Sequence, residues 1–120
     1  MKRLFLLITL ILFSFLEAEN RVSINKLKNI GGLWYSKNSD IPFTGVAYIN
    51  SENTENKILE RKYINGIYSG KYNEWWENGK NKIKGTYRKG LMNGRWKFYY
   101  ENGNVLCTGS YENTNYGFTI

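Results

Sequence analysis

Between Gly66 and Asn113 the chain repeats itself with a period of 24 residues and no gap. GIYSGKYNEWWENGKNKIKGTYRK runs from Gly66 to Lys89, and GLMNGRWKFYYENGNVLCTGSYEN follows directly, from Gly90 to Asn113. Seven positions are identical: Gly66/Gly90, Gly70/Gly94, Glu77/Glu101, Asn78/Asn102, Gly79/Gly103, Gly85/Gly109 and Tyr87/Tyr111. Close substitutions include Lys71/Arg95, Tyr72/Trp96, Trp75/Tyr99 and Trp76/Tyr100. A fixed period of this length confines the chain to architectures in which one supersecondary unit stacks on the next.

The unit is predicted to be a β-hairpin. Asn78-Gly79 and Asn102-Gly103 lie between aromatic-rich runs, and Asn-Gly favours a two-residue type I′ turn because both central residues need positive φ. Centring the hairpins there places Tyr72 opposite Gly85, Gly70 opposite Tyr87, Trp96 opposite Gly109 and Gly94 opposite Tyr111. Each glycine then faces a ring that can lie across the bare backbone. Strand alternation sorts two faces. Tyr72, Trp76, Ile83, Tyr87, Trp96, Phe98, Tyr100, Val105, Cys107 and Tyr111 fall on one. The other carries Lys71, Lys82, Lys84, Arg95 and Lys97, interrupted by Trp75 and Tyr99. Such a pattern is that of a half-buried antiparallel meander.

Lys2 and Arg3 precede the apolar run LFLLITLILFSFL, the layout of a secretory leader, with cleavage expected near Ala18. Residues 1–18 are therefore expected to be a signal helix, residues 19–44 lead-in strands and residues 45–120 the repeats. Within the last, 45–66 is degenerate, 66–89 and 90–113 are the full units, and 114–120 is a partial one. Arg21–Ile24 and Gly32–Tyr35 are predicted strands, Ser36–Asp40 a loop, and Pro42 a strand entrance. In the degenerate unit SENTEN (Ser51–Asn56) replaces the tight turn, and Gly45 with Tyr48 takes the place of Gly70 with Tyr72. Gly117–Ile120 is an expected final strand. Cys107, the single cysteine, is expected to be a small apolar residue of the aromatic face.

The formal charge is +7, and +6 once a leader carrying Lys2, Arg3 and Glu17 is removed. A basic balance points to an acidic partner, an anionic membrane or nucleic acid, and export argues against nucleic acid. Catalytic chemistry is poorly supplied. There is no histidine, no Ser/His/Asp set, no CxxC pair and no P-loop, so neither cofactor nor metal is expected. Glu74, Glu77, Glu101 and Glu112 are the acids available for a carboxylate pair. Glu77 and Glu101 precede the turns and are expected to be solvated there, while Glu74 projects onto the aromatic face towards a lysine or tyrosine.

GKYNEWWENGKNKIKGTYRKG and GRWKFYYENGNVLCTGSYENT resemble the MORN-variant repeat, G-x-W-x-x-[WY]-Y-x-N-G-x-x-x-x-x-G-x-Y-x-x-G. Ile41-Pro42-Phe43-Thr44-Gly45 is similar to the PFTG lead-in of many such bacterial proteins. The resemblance spans about Leu33 to Phe118. It implies an all-β, elongated antiparallel meander of repeated hairpins in a single-layer sheet, used as a protein- or membrane-contact surface. Gly70, Gly79, Gly85, Gly94, Gly103, Gly109, Tyr72, Tyr87, Trp96 and Tyr111 would be the structural repeat positions. Some exported or periplasmic relatives carry the label of toxin–antitoxin antitoxins.

Three functions follow as expectations. The first is a non-enzymatic interaction module in the bacterial envelope, periplasmic or at the cell surface, meeting an unknown protein partner. The second is binding of an anionic envelope lipid or glycan, and the third is antitoxin-like neutralisation of a toxin. The expected binding residues are Trp75, Tyr99, Lys71, Lys82, Lys84, Arg95 and Lys97, because aromatic side chains amid cations carry interface energy. The aromatic face is expected to pack on itself and beneath the segment containing Trp34 and Tyr35.

Overall fold

The computed structural model describes residues 20–112; the expected leader and the partial repeat at 114–120 lie outside them. Nine strands run in chain order: β1 (Arg21–Ser23), β2 (Leu27–Ile30), β3 (Leu33–Ser36), β4 (Gly45–Asn50), β5 (Lys57–Ile64), β6 (Ile67–Trp75), β7 (Asn81–Arg88), β8 (Leu91–Tyr99) and β9 (Val105–Tyr111). β4 to β9 form an antiparallel meander in sequence order, and β1 adds in parallel beside β4. β2 and β3 make a separate hairpin. The lead-in thus holds β2 as a strand that the sequence pattern missed, because Leu27–Ile30 has no repeat equivalent.

Three consecutive hairpins share one pairing. Gly45 faces Tyr63, Gly70 faces Tyr87 and Gly94 faces Tyr111. Tyr72 faces Gly85 and Trp96 faces Gly109, as the spacing predicted. The first hairpin inverts the sizes: Ala47 faces Arg61 where the others set an aromatic against glycine. The large side chain has crossed to the partner strand, so the space is filled either way.

The turns differ from expectation. Gly79 N–H donates to the Trp76 carbonyl at 2.9 Å and Trp76 N–H to the Lys80 carbonyl at 2.8 Å. Asn78 keeps negative φ while Gly79 takes +87°. This is a three-residue loop ending in a left-handed glycine, not a two-residue type I′ turn. The loop is longer by one residue, and a bulge on the returning strand restores the register: Trp75 pairs with Asn81, Glu74 with Ile83, and Lys82 is the extra residue. The Asn102-Gly103 loop repeats the pattern, with Leu106 left over between Tyr99↔Val105 and Phe98↔Cys107. Two-residue turns with both central residues at positive φ occur at the opposite strand ends, at Asn65-Gly66 and Lys89-Gly90.

The core lies on the aromatic face. Leu27, Phe43, Ala47 and Tyr63 are buried, with Val22, Ile24, Trp34 and Tyr68 packed against them. The β2–β3 hairpin is held there by backbone bonds from Trp34 N–H to the Gly66 carbonyl and from Phe43 N–H to the Trp34 carbonyl. Trp34 supplies the ring cover, 6.0 Å from Tyr63 and 6.3 Å from Tyr68; Tyr35 instead bridges Pro42. Beyond the hairpin the rings cover one another, Tyr68 on Tyr87, Tyr87 on Trp96 and Trp96 on Tyr72, at 5.1–5.4 Å.

Trp96 is only 2% exposed, and its indole lies flat over Gly85. A Cβ on Gly85 would sit 2.0 Å from the Trp96 ring, so the ring over this glycine comes from β8, rather than from the paired Tyr72 as the register alone suggested. Gly85→Ala is therefore expected to destabilise the fold by about 1–3 kcal/mol, measured by denaturant unfolding. In a Trp96→Ala background the same change should cost much less. Equal costs in both backgrounds would disprove the contact.

Candidate functional site

Directly paired residues share a face, so the register assembles the second face of the sheet. Across β6 to β9 one row runs Asn73, Lys84, Lys97, Thr108, each directly opposite the next. Beside it Lys71 faces Thr86 and Arg95 faces Ser110. Lys71, Asn73, Lys84, Gly85, Thr86, Arg95, Lys97 and Tyr99 line one shallow hollow of about 470 Å³. Four cations thus share a surface that carries no acid in its lining. Among the described residues none of the four has a carboxylate within ion-pair distance.

Of the seven expected binding residues, five come together: Lys71, Lys84, Arg95, Lys97 and Tyr99. Lys82 does not. As the bulged residue it turns its ammonium to Glu74, 3.9 Å away, and over the Trp76 ring at 4.6 Å, both members of the aromatic face. Trp75 lies outside the hollow, and the Lys57 ammonium stands 5.9 Å from its ring. Of the expected pair of equivalent aromatic anchors, Tyr99 alone lines the hollow. A frame of strict alternation misplaced Lys82 because the bulge was not visible in the Asn-Gly signal.

A second hollow adjoins the first through Lys71 and is lined by Arg21, Val46, Glu60, Lys62 and Gly70. Here the acid is occupied. Glu60 accepts from Arg21 at 3.1 Å and from Lys57 at 2.5 Å. Partial burial raises its carboxyl, but the bonds from Lys57 and Arg21 outweigh this and hold it below the usual range.

Two further acids have structural partners. Glu74 accepts a hydrogen bond from the Tyr72 hydroxyl, which accounts for its position on the aromatic face. Glu77 is not merely solvated: its carboxylate accepts from buried Ser51 at 3.1 Å and from Asn53, tying the 51–56 loop to the next hairpin. Asn78 Nδ2 in turn donates to the Glu101 carbonyl at 2.8 Å, so successive loops are linked. No group of three or more metal-ligating side chains occurs among the described residues.

Arg61 escaped the sequence reading. Its guanidinium lies 4.8 Å from the Tyr68 ring and 5.4 Å from Trp34, and its Nε donates to the Tyr63 hydroxyl. The available signal was positional: Arg61 stands one period before Gly85, where a charged residue has no place unless rings receive it.

Comparison with protein-family models, curated proteins and solved structures finds no match.

Tyr63, Tyr72 and Tyr87 of the aromatic face resist ionisation. Burial pushes Tyr63 up to about 12, although Arg61 opposes it. Burial, aided by the hydrogen bond to Glu74, raises Tyr72, and burial raises Tyr87. The folded state therefore holds these protons where the unfolded chain, with tyrosines near 10.0, releases them. Stability should be independent of these groups below pH 10.0 and fall as pH rises towards 12. Tyr63 alone should contribute on the order of 2 kcal/mol to the fall. Denaturant unfolding across that range is the check; Tyr63→Phe should give a shallower decline, and an equally steep one would contradict the assignment.

Proposed function

We propose that this protein is a non-enzymatic docking module that holds an anionic partner on the basic face of its sheet. The observation that carries the reading is the direct opposition of Lys84 and Lys97, flanked by Lys71 and Arg95 in one hollow without a carboxylate. Like charges directly opposite in a sheet are destabilising, by roughly 0.2–1 kcal/mol. A fold that needed only soluble charge would relieve this with one glutamate. An anionic ligand relieves it on binding.

The opposite face supports the same reading from the other side. Its rings are engaged in covering one another, Gly85 and the β2–β3 hairpin, which leaves the basic face as the free surface of the meander. The Lys2-Arg3 start and following apolar run favour a role outside the cytoplasm, in the envelope or at the cell surface. The repeat resemblance is in keeping with a contact surface rather than an active site.

Lys84→Gln should therefore separate stability from binding. The variant is expected to be as stable as the parent or up to about 1 kcal/mol more so, while retention on an anionic matrix should shift to lower salt. Exposed charge contacts are screened beyond about 8 Å at physiological ionic strength, so the parent should also elute within a modest salt range. A less stable variant with unchanged retention would overturn the docking reading.

A further inference from the structure

We infer that the anionic partner is a linear acidic polysaccharide, a chain of carboxylate-bearing sugars laid across strands β6 to β9. This rests on the docking reading and names the class of ligand that the face accepts. The row Asn73–Lys84–Lys97–Thr108 runs perpendicular to the strands, so its side chains recur at the inter-strand spacing of about 4.8 Å. That spacing is close to the length of one pyranose unit. Within β6 to β9 a polyuronate lying along the row meets two ammonium groups at its centre and a neutral amide and hydroxyl at its ends. The next residue in the row, Glu60 opposite Asn73, is neutralised by Arg21 and Lys57. The neighbouring pairs Lys71–Thr86 and Arg95–Ser110 again set a cation beside a hydroxyl. Cations bordered by small hydrogen-bonding groups match a ligand that carries both carboxylates and hydroxyls.

Tyr99 completes the match. It is half-buried at one end of the hollow, and it is the one ring in the lining. A tyrosine presents an apolar body with a polar tip, suited to stacking on the C–H face of a sugar while its hydroxyl stays in water.

The same lining disfavours the other anionic surfaces. Protein interface cores are rich in aromatic residues, methionine and arginine and poor in lysine and serine; here lysines and hydroxyls dominate, and Trp75 stands apart beside Lys57. A lipid surface is held by apolar side chains inserted among the headgroups or by a polybasic segment. The exposed isoleucines Ile64 and Ile67 flank the Asn65-Gly66 turn. Although exposed Val105 stands opposite Tyr99, on the face where the sequence pattern had not put it, no aliphatic residue lines the hollow itself.

The test titrates the full chain with polygalacturonate, its fully methyl-esterified form, polyglutamate and vesicles containing phosphatidylglycerol, at one salt concentration. Polygalacturonate should bind most tightly, and the esterified polymer should not bind. The double variant Lys84→Gln, Lys97→Gln should weaken polygalacturonate roughly tenfold, the loss of two exposed charge contacts. Tyr99→Ala, verified as folded by circular dichroism, should weaken polygalacturonate while leaving retention on polyglutamate unchanged. Tighter binding to polyglutamate or to vesicles would overturn the glycan assignment and leave the docking reading intact, as would a Tyr99→Ala variant that binds polygalacturonate like the parent. Failure of all the anionic probes to bind would overturn both.

Discussion

Beyond the small β2–β3 hairpin the main sheet has no second layer among the described residues, so there the aromatic face must cover itself. In this chain that is done by aromatic rings that cover one another, one of them lying across a glycine. Trp96 rests on Gly85 so closely that even a methyl group cannot be admitted, and Tyr68, Tyr72 and Tyr87 continue the pavement at centroid distances of 5.1–5.6 Å. Glycine weakens a strand on its own account. Its value here is that the missing side chain makes room for an indole to be removed from water, a burial worth more than the entropy lost.

The arrangement also admits three charged groups, Arg61, Glu74 and Lys82, on the apolar face without leaving any stranded. Arg61 takes the site that glycine holds elsewhere and spreads its guanidinium against Tyr68, Trp34 and Tyr63, with small Ala47 across from it. Glu74 is satisfied by Tyr72 and Lys82. Because Lys82 is drawn to that side, the bulge that displaces it also shapes the other face. What remains there is a compact set, Lys71, Lys84, Arg95 and Lys97, in a hollow otherwise lined by uncharged residues, with the ion-paired Glu60 in the adjoining one.

The register of the two full hairpins was legible because glycines and rings recur together, and Tyr72↔Gly85, Gly70↔Tyr87, Trp96↔Gly109 and Gly94↔Tyr111 all hold. The turn geometry was not. Asn-Gly is compatible with more than one loop, and a three-residue loop plus a bulge gives the same pairing two residues further on. The cost fell on Lys82, a bulged residue whose direction depends on the slip rather than on parity. Arg61 was missed because its partners, Trp34, Tyr63 and Tyr68, come from three strands and only tertiary packing unites them. Strand β2 was missed because its pairing with β3 is set by the Gly31-Gly32 turn, outside the repeat.

The account divides the sheet into a structural face and a working face, and the lysines report on that division from both sides. Lys71, Lys84 and Lys97 line the hollow, whereas Lys82 faces Glu74 and Trp76 across the sheet. The decisive measurement is the acetylation rate of each lysine, read by mass spectrometry with and without saturating polygalacturonate. The account predicts strong protection of Lys71, Lys84 and Lys97 and none of Lys82. Protection of Lys82 with Lys84 and Lys97 left unchanged would contradict it.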